Sequence, residues 1–188
     1  MLRLGVLGST RGTHLVHLVQ AIQRRCLQAT IAVVMSDKPD ALILERAATY
    51  NLPAEFVDPQ GLTREQHDAD LTKILHAHSV DFVVLIGYMR ILSASFVMEW
   101  RDKIMNVHPS LLPDFAGGMD LAVHRAVLAS GAKETGCTVH YVTEEVDGGP
   151  VIIQKRCPVL MDDTPESLKT RVQALEGEAL IEAISGVA

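Results

Sequence analysis

The stretch Arg3-Leu4-Gly5-Val6-Leu7-Gly8-Ser9-Thr10-Arg11-Gly12-Thr13-His14 decides the fold class of this chain. Its first five residues form a largely apolar run that is typical of a buried strand, and its last residues open a segment with helical spacing. The turn between them contains glycine and leads into a helix N-terminus, where free N–H groups favour a phosphate. The stretch therefore predicts a strand–turn–helix unit, although it matches neither the P-loop nor the dinucleotide-binding motif.

Strand and helix patterns continue to alternate after this stretch. Strands are predicted at residues 3–7, 30–35, 54–57 and 82–86, with helices between them at residues 13–24, 40–50 and 64–78. Alternation of this kind predicts a parallel sheet that is covered by helices on both faces.

The C-terminal part predicts a different arrangement of strands. A strand at residues 104–107 and a helix at residues 122–129 precede two β runs, at residues 137–142 and 151–156, which we expect to pair antiparallel. A final helix begins near Pro165, with Thr164 as its cap. The predicted fold class is α/β, Rossmann-like, with a mainly parallel sheet, helices on both faces and a C-terminal antiparallel β portion. With 188 residues, 48% hydrophobic content and no obvious linker, we expect a single domain over residues 1–188.

Composition excludes some classes of function. The net charge is -6, whereas nucleic-acid-binding proteins are typically basic. The longest apolar stretch, at residues 82–89, is too short to cross a bilayer, so no membrane span is expected. Cys26, Cys137 and Cys157 form no close metal-ligand pair, and their odd number favours reduced thiols and a cytoplasmic location.

Two motifs carry the candidate chemistry, Asn106-Val107-His108-Pro109-Ser110-Leu111-Leu112-Pro113 and Asp147-Gly148-Gly149-Pro150. Because Pro109 cannot donate to a sheet ladder, the strand should end near His108, and Asn106 and His108 should project from the same face. An amide can donate to a developing oxyanion, an imidazole can exchange protons, and a carboxylate can stabilise the imidazolium. The motifs therefore predict acyl-type chemistry at Asn106, His108 and Asp147.

Structural interpretations of these and other polar residues remain open. A single histidine after a strand is more often structural than catalytic, and Asp-Gly-Gly is also an ordinary turn signal. Asp37 follows the second predicted strand, where it can imitate a ribose-binding acid, but a turn before Pro39 is the more common interpretation. A nicotinamide-dependent enzyme is a poor fit to this pattern.

Four stretches, in order, resemble the phosphoribosylglycinamide formyltransferase family, the folate-dependent enzymes of purine synthesis. They are Gly87-Tyr88-Met89-Arg90-Ile91-Leu92, the Asn106 to Pro113 segment, Thr138-Val139-His140-Tyr141-Val142-Thr143, and Asp147 to Pro150. The resemblance runs from Gly12 to Glu176 and implies the catalytic residues Asn106, His108 and Asp147. It also implies that the substrate phosphate is held by Gly12, Thr13 and His14, and that Glu176 contacts the same substrate.

The resemblance further implies a folate site. In the family, the pterin pocket is lined by residues equivalent to Met89, Arg90, Ile91, Leu92 and Val97, with Arg64, Asn106 and His140 near the folate. On pattern alone, the three aliphatic residues would be core residues and Arg64 a solvated helical residue. Their assignment therefore rests on the family.

The chain departs from the family pattern in two places. Thr10-Arg11-Gly12-Thr13-His14 stands where the family usually has Gly-Asn-Gly-Ser-Asn, so His14 is a candidate for a pH-dependent cationic donor to the phosphate. The stretch Gly117-Gly118-Met119-Asp120-Leu121-Ala122-Val123 is longer than expected, and it follows the catalytic segment directly. We therefore expect an altered mouth of the acceptor site.

The function implied by the resemblance is transfer of the formyl group of 10-formyltetrahydrofolate, a co-substrate, to the amine of N1-(5-phospho-D-ribosyl)glycinamide. No metal is expected, the expected partners are these small molecules, and the protein is expected to be a monomer or homodimer. The alternatives are hydrolysis of 10-formyltetrahydrofolate, formyl transfer to another small amine, and a catalytically silent binding module. The chain length favours the first function over the related tRNA formyltransferases, which carry an added C-terminal domain.

Overall fold

A computed structural model describes all residues from 1 to 188 and contains seven strands and six helices. Their order is β1 (Leu2–Leu7), α1 (Thr13–Gln23), β2 (Ala29–Ser36), α2 (Leu42–Thr49), β3 (Ala54–Phe56), α3 (Arg64–Ala77), β4 (Phe82–Leu85), α4 (Ala94–Glu99), β5 (Ile104–His108), α5 (Leu121–Ala129), β6 (Glu134–Tyr141), β7 (Val151–Pro158) and α6 (Pro165–Ser185). None of the helices combines the length and the apolar character that crossing a membrane requires.

Residues 1–105, with Ala188, form an N-terminal unit built on parallel strands. Strand β1 pairs parallel with β2 on one side and with β4 on the other, and β2 pairs parallel with β3. The chain therefore proceeds outward from β1 through β2 to β3 and then returns to the other side of β1. Such a reversal of direction is a topological switch point, and ligands of open α/β sheets bind in the crevice at the carboxyl ends of the strands there.

Apolar sequence explains why these strands form. Strand β1 buries Leu4, Val6 and Leu7 completely, and β2 buries the continuous run from Val33 to Met35. Uninterrupted apolar burial is typical of strands that are covered on both faces. Helix α3 begins with a capping box, in which the Thr63 side chain accepts from the Gln66 N–H and the Gln66 side chain accepts from the Thr63 N–H.

Residues 106–187 form a C-terminal unit built on an antiparallel pair. Strands β6 and β7 pair from Glu134 opposite Pro158 to His140 opposite Val151, with a bulge between Val139 and His140. Helix α6 packs against both strands and against α5. Its N-terminus has the predicted Thr164 cap, in a capping box with Ser167.

The strand order of the sheet is β3-β2-β1-β4-β5-β6-β7. Strand β5 belongs to both units, because its first two residues lie in the N-terminal unit and the others in the C-terminal unit. Every predicted element is present, with ends that differ from the structure by three residues or fewer. The six-residue helix α4 was not predicted, because its sequence Ala94–Glu99 is too short to show an apolar period. Ser93 caps it by accepting from the Phe96 N–H.

Candidate active site

The carboxyl end of β5 carries the first two candidate residues. The strand ends at His108, immediately before Pro109, as predicted. Asn106 is half-buried, and His108 is only 4% exposed. Because they are two residues apart on one strand, both side chains project from the same face.

Both ring nitrogens of His108 face hydrogen-bond acceptors. Nε2 lies 3.1 Å from the Phe115 carbonyl oxygen, and Nδ1 lies 3.3 Å from Oδ2 of Asp147. A carbonyl and an ionised carboxylate only accept hydrogen bonds, whereas a neutral imidazole has a single N–H. The two contacts together therefore suit the imidazolium form of His108, in which both nitrogens donate.

Asp147 contacts three residues from different parts of the C-terminal unit. Its Oδ2 accepts from the Gly117 N–H at 2.8 Å, and its Oδ1 lies 3.6 Å from Nε2 of His140. Burial raises the pKa of Asp147, but the interactions with His140, the Gly117 N–H and His108 outweigh this effect, and the net pKa lies below the ordinary value. This carboxylate is therefore ionised near neutral pH.

His140 links Asp147 to Asn106. Its Nδ1 donates to the Tyr141 carbonyl at 2.9 Å, and its Nε2 lies 3.3 Å from Nδ2 of Asn106. The register of the β6–β7 pair shifts directly before His140, where β7 has one extra residue, Ile152, and bulges next to sites commonly redirect a side chain. We name Asn106, His108, His140 and Asp147 the His108 cluster.

The Asp147 turn is fixed by close backbone packing. A Cβ atom on Gly149 would lie 1.8 Å from the Tyr141 carbonyl oxygen, so only glycine fits there. The Tyr141 N–H also donates to the Pro150 carbonyl at 2.9 Å. Asp147 itself has a φ of 54°, in the left-handed region that a side chain rarely adopts. The surrounding contacts therefore hold the carboxylate in one position.

Some contributors to the site were missed from sequence. Phe115 and Gly117 act through backbone groups, which leave no signal in residue type. Thr138 is fully buried, donates to the Ser110 carbonyl at 2.7 Å and accepts from the Leu112 N–H at 3.0 Å. It thereby fixes the segment that follows His108. The sequence feature that could have identified Thr138 is a hydroxyl side chain among the apolar residues of a predicted strand.

The predicted phosphate-binding residues lie at the start of α1 in the N-terminal unit. Gly12 precedes the helix with a φ of 65°, and a Cβ there would lie 2.4 Å from Cγ1 of Ile43. Glycine is thus required both by backbone conformation and by packing against α2. Thr13 and His14 occupy the first helical turn, half-buried and buried respectively.

The residues predicted to bind folate lie in several environments. Residues 89–92 follow β4, and the side chains of Met89 and Ile91 are 43% and 54% exposed. Leu92 and Val97 are buried, Arg90 is partly buried, and Arg64 is exposed at the first residue of α3. The exposed apolar pair is available to a ligand, whereas the buried residues also serve the core of this unit.

Glu176 lies buried on α6 of the C-terminal unit. His124, on α5, is nearly inaccessible as well, and burial lowers its pKa although the charge of Glu176 opposes this shift. The same carboxylate adds to burial in raising the pKa of Cys137 to about 12. Glu176 therefore faces groups from both α5 and β6. His124 lies within the helix that was predicted at residues 122–129.

A family model for formyl transferases matches residues 2–184 of this chain. The chain belongs to the formyl transferase family. Phosphoribosylglycinamide formyltransferase of Escherichia coli (strain K12) is 40% identical over 176 residues, which is 91% of this chain and 80% of that relative. The solved structure of glycinamide ribonucleotide transformylase 1 from Symbiobacterium toebii has a TM-score of 0.93 and 41% identity, and covers 98% of this chain and 86% of that one. The predicted fold class and the family resemblance are confirmed.

Some longer relatives are similar to this chain over only one part of their length. Trifunctional purine biosynthetic protein adenosine-3 of Drosophila melanogaster is 41% identical over 186 residues, which is 97% of this chain. The formyl transferase chain spans only 14% of the length of that relative.

Proposed function

We propose that this chain transfers the formyl group of 10-formyltetrahydrofolate to the amine of N1-(5-phospho-D-ribosyl)glycinamide, giving the N-formyl product and tetrahydrofolate in purine biosynthesis. The observation that carries the proposal is the His108 cluster, in which His108 has an acceptor at each ring nitrogen and a carboxamide lies on the same face. The names of the relatives support the choice of substrates.

The proposed reaction needs both a stabilised oxyanion and a moved proton. The acceptor amine attacks the formyl carbon, the bond from that carbon to N10 of the folate breaks, and one proton passes from the attacking nitrogen to N10. Asn106 uses one amide N–H on His140, so its second N–H is available to the oxygen that becomes negative. His108 supplies the positive charge and the mobile proton. The bond from its Nε2 to Phe115 must open for that transfer.

The binding residues remain part of the proposal. We assign the substrate phosphate to Gly12, Thr13 and His14 and the same substrate to Glu176. For the formyl donor, the support is a loop after β4 with two exposed apolar side chains, which suit the faces of a pterin ring. The folate residues so assigned are Arg64, Met89, Arg90, Ile91, Leu92, Val97, Asn106 and His140.

Four further predictions accompany this function. Both units are proposed to act as one formyltransferase domain over residues 1–188, which the extent of the family match supports. A cytoplasmic location and a monomeric or homodimeric state stay predictions. The proposed chemistry uses hydrogen-bond donors and not a metal, so turnover is expected to survive treatment with EDTA.

Dependence on the acceptor tests the function. The purified chain is incubated with 10-formyltetrahydrofolate, and release of tetrahydrofolate is followed with and without the phosphoribosyl glycinamide. We expect release only with the acceptor, in equal amount to the N-formyl product. Release together with formate in the absence of any amine would establish the hydrolase instead. Tight binding of both compounds without release would indicate a silent binding module.

A further inference from the structure

Three loops meet at the switch point of the N-terminal unit. Ser9 follows β1, Met89 follows β4, and Asp37 follows β2. Strands β1 and β4 are the neighbours between which the chain reverses its direction across the sheet. Loops at this position form the ligand-binding crevice of open α/β sheets. Contacts among the three residues therefore bear on how a ligand is received.

Ser9 bonds to the loop after β4 through both its backbone and its side chain. The Ser9 N–H donates to the Gly87 carbonyl at 3.1 Å, and the Met89 N–H donates to the Ser9 hydroxyl oxygen at 2.9 Å. The Ser9 hydroxyl in turn lies 2.5 Å from Oδ1 of Asp37. Ser9 and Asp37 are 4% and 8% exposed, so water competes little for these bonds.

Asp37 determines the direction of the Ser9 hydroxyl. A hydroxyl has a single proton, and the carboxylate can only accept it, so the hydroxyl oxygen turns its lone pairs toward Met89. Hydrogen bonds to an ionised acceptor are shorter and stronger than neutral ones. The 2.5 Å separation agrees with a bond of this strong class. The Met89 amide is thus held by a hydroxyl that has no freedom to rotate away.

The turn before Pro39 does not account for this use of Asp37. Within that turn, the Lys38 N–H donates to the Ser36 hydroxyl at 3.1 Å. The side chain that bonds to the backbone of the turn is therefore Ser36 and not Asp37. The carboxylate of Asp37 points instead at Ser9, which is 28 residues away in sequence. The ordinary turn interpretation therefore explains Ser36 and leaves Asp37 to another role.

We propose that Ser9 and Asp37 are positioning residues for the formyl donor, because their hydroxyl–carboxylate pair holds the backbone of Met89 and thereby the segment 89–92. This inference rests on the proposed function, which assigns that segment to the pterin. Two of its side chains, Met89 and Ile91, are apolar and exposed, and an unrestrained loop of this kind would have to order on binding. Preorganisation by the pair lowers that cost and so raises affinity for the donor.

Steady-state kinetics of four variants test the inference. Ser9→Ala and Asp37→Ala are expected to raise KM for 10-formyltetrahydrofolate about tenfold or more, the effect of losing a charge-assisted bond, with kcat within about threefold. Asp37→Asn keeps an oxygen that accepts from Ser9 and should restore KM to within about threefold of the wild type. Ser36→Ala is the matched control, because it removes an equally buried hydroxyl that accepts from the Lys38 N–H within its own turn.

The inference is overturned if Asp37→Ala leaves the KM for the donor unchanged, or if Ser36→Ala raises it equally. A general loss of structure would instead lower kcat in all four variants together, and that result would also count against positioning.

Amide hydrogen exchange separates this inference from the proposed function. Without any substrate, the Met89 amide should exchange about tenfold faster in Ser9→Ala than in the wild type, and at the wild-type rate in Ser36→Ala. If the wild type transfers no formyl group, the proposed function fails. The affinity for tetrahydrofolate, measured by calorimetric titration, then replaces KM as the test of positioning. Unchanged exchange at Met89, or unchanged tetrahydrofolate affinity in Asp37→Ala, would then refute the positioning role.

Discussion

Asp147 and Asp37 are two shielded carboxylates with different neighbours. Asp147, in the C-terminal unit, faces the imidazoles of His108 and His140 and accepts from the Gly117 N–H. Asp37, in the N-terminal unit, accepts from the hydroxyl of Ser9. Imidazoles gain and lose protons near neutral pH, whereas a serine hydroxyl does not. The neighbours therefore suit Asp147 to proton transfer and Asp37 to holding a fixed geometry.

Local backbone conformation supports the same distinction. Asp147 has a left-handed φ of 54° between the end of β6 and two glycines, and strain of this kind is concentrated at functional sites. Asp37 continues directly from β2 with no positive φ. The carboxylate of Asp147 is therefore placed by an unfavourable backbone conformation. The carboxylate of Asp37 is placed without one.

The most direct way to break this comparison is to make the same amide substitution at both positions. Asp147→Asn removes the charge that stabilises the His108 imidazolium, and we expect kcat/KM to fall by about 10²- to 10⁴-fold. Asp37→Asn should change kcat/KM by less than about tenfold, because the amide oxygen still accepts from Ser9. Steady-state assays of both variants check this. Equal losses would show that the two carboxylates do not differ in role.

Asn106→Ala sharpens the assignment within the His108 cluster. Removal of an oxyanion donor lowers turnover by about 10²- to 10³-fold, and we expect that loss in kcat with acceptor affinity largely retained. Single-turnover assays together with acceptor titration measure the two quantities separately. Near-normal turnover would show that Asn106 does not stabilise the oxyanion.

His14→Asn extends the comparison to the loop that we propose binds the substrate phosphate. If the imidazole of His14 donates to the substrate phosphate as a cation, the advantage of the wild type over the variant in acceptor affinity should be several-fold greater at about pH 6 than at about pH 8. The variant serves as the reference because the substrate phosphate itself changes charge in this range. Calorimetric titration with the phosphoribosyl glycinamide at both pH values checks this. Identical profiles would remove His14 as a cationic donor.

Acid stability is expected to show the smallest effect. Because the folded-state pKa of Asp147 lies below its ordinary value of 3.8, its ionised form stabilises the fold above that pH. This contribution is lost as the pH falls through the lower folded-state pKa. Asp147→Asn should therefore lose less stability than the wild type between about pH 5 and about pH 2. Urea unfolding at both pH values measures it, and equal losses would contradict the assigned shift.

Much of the fold was predictable because its signals are local. Apolar runs, the Thr164 cap and Pro165 identified strands and helices from a few neighbouring residues each. Helix α4 was missed because six residues span less than two helical turns, too few to show a period. Asn106 and His108 were predictable as a pair, because strand geometry alone places residues two apart on one face.

The other half of the site was predictable only in part. Asp147 was proposed from its motif, but its contact with His108 joins residues from β5 and from the turn after β6. The bonds from Phe115 and Gly117 involve backbone atoms, whose availability depends on the path of the loop and not on residue type. Ser9 and Met89 are 80 residues apart, and no local pattern connects them.

The order of the strands and helices, their amphipathic faces and the identity of the chemical groups were determined by the sequence itself, because each depends on short-range sterics and apolar periodicity. Tertiary structure alone decided which carboxylate meets an imidazole and which meets a hydroxyl. That choice depends on strand register, a bulge and loop paths that bring distant residues to hydrogen-bonding distance. Identical side chains, Asp37 and Asp147, therefore acquire different chemistry from the groups that the fold places beside them.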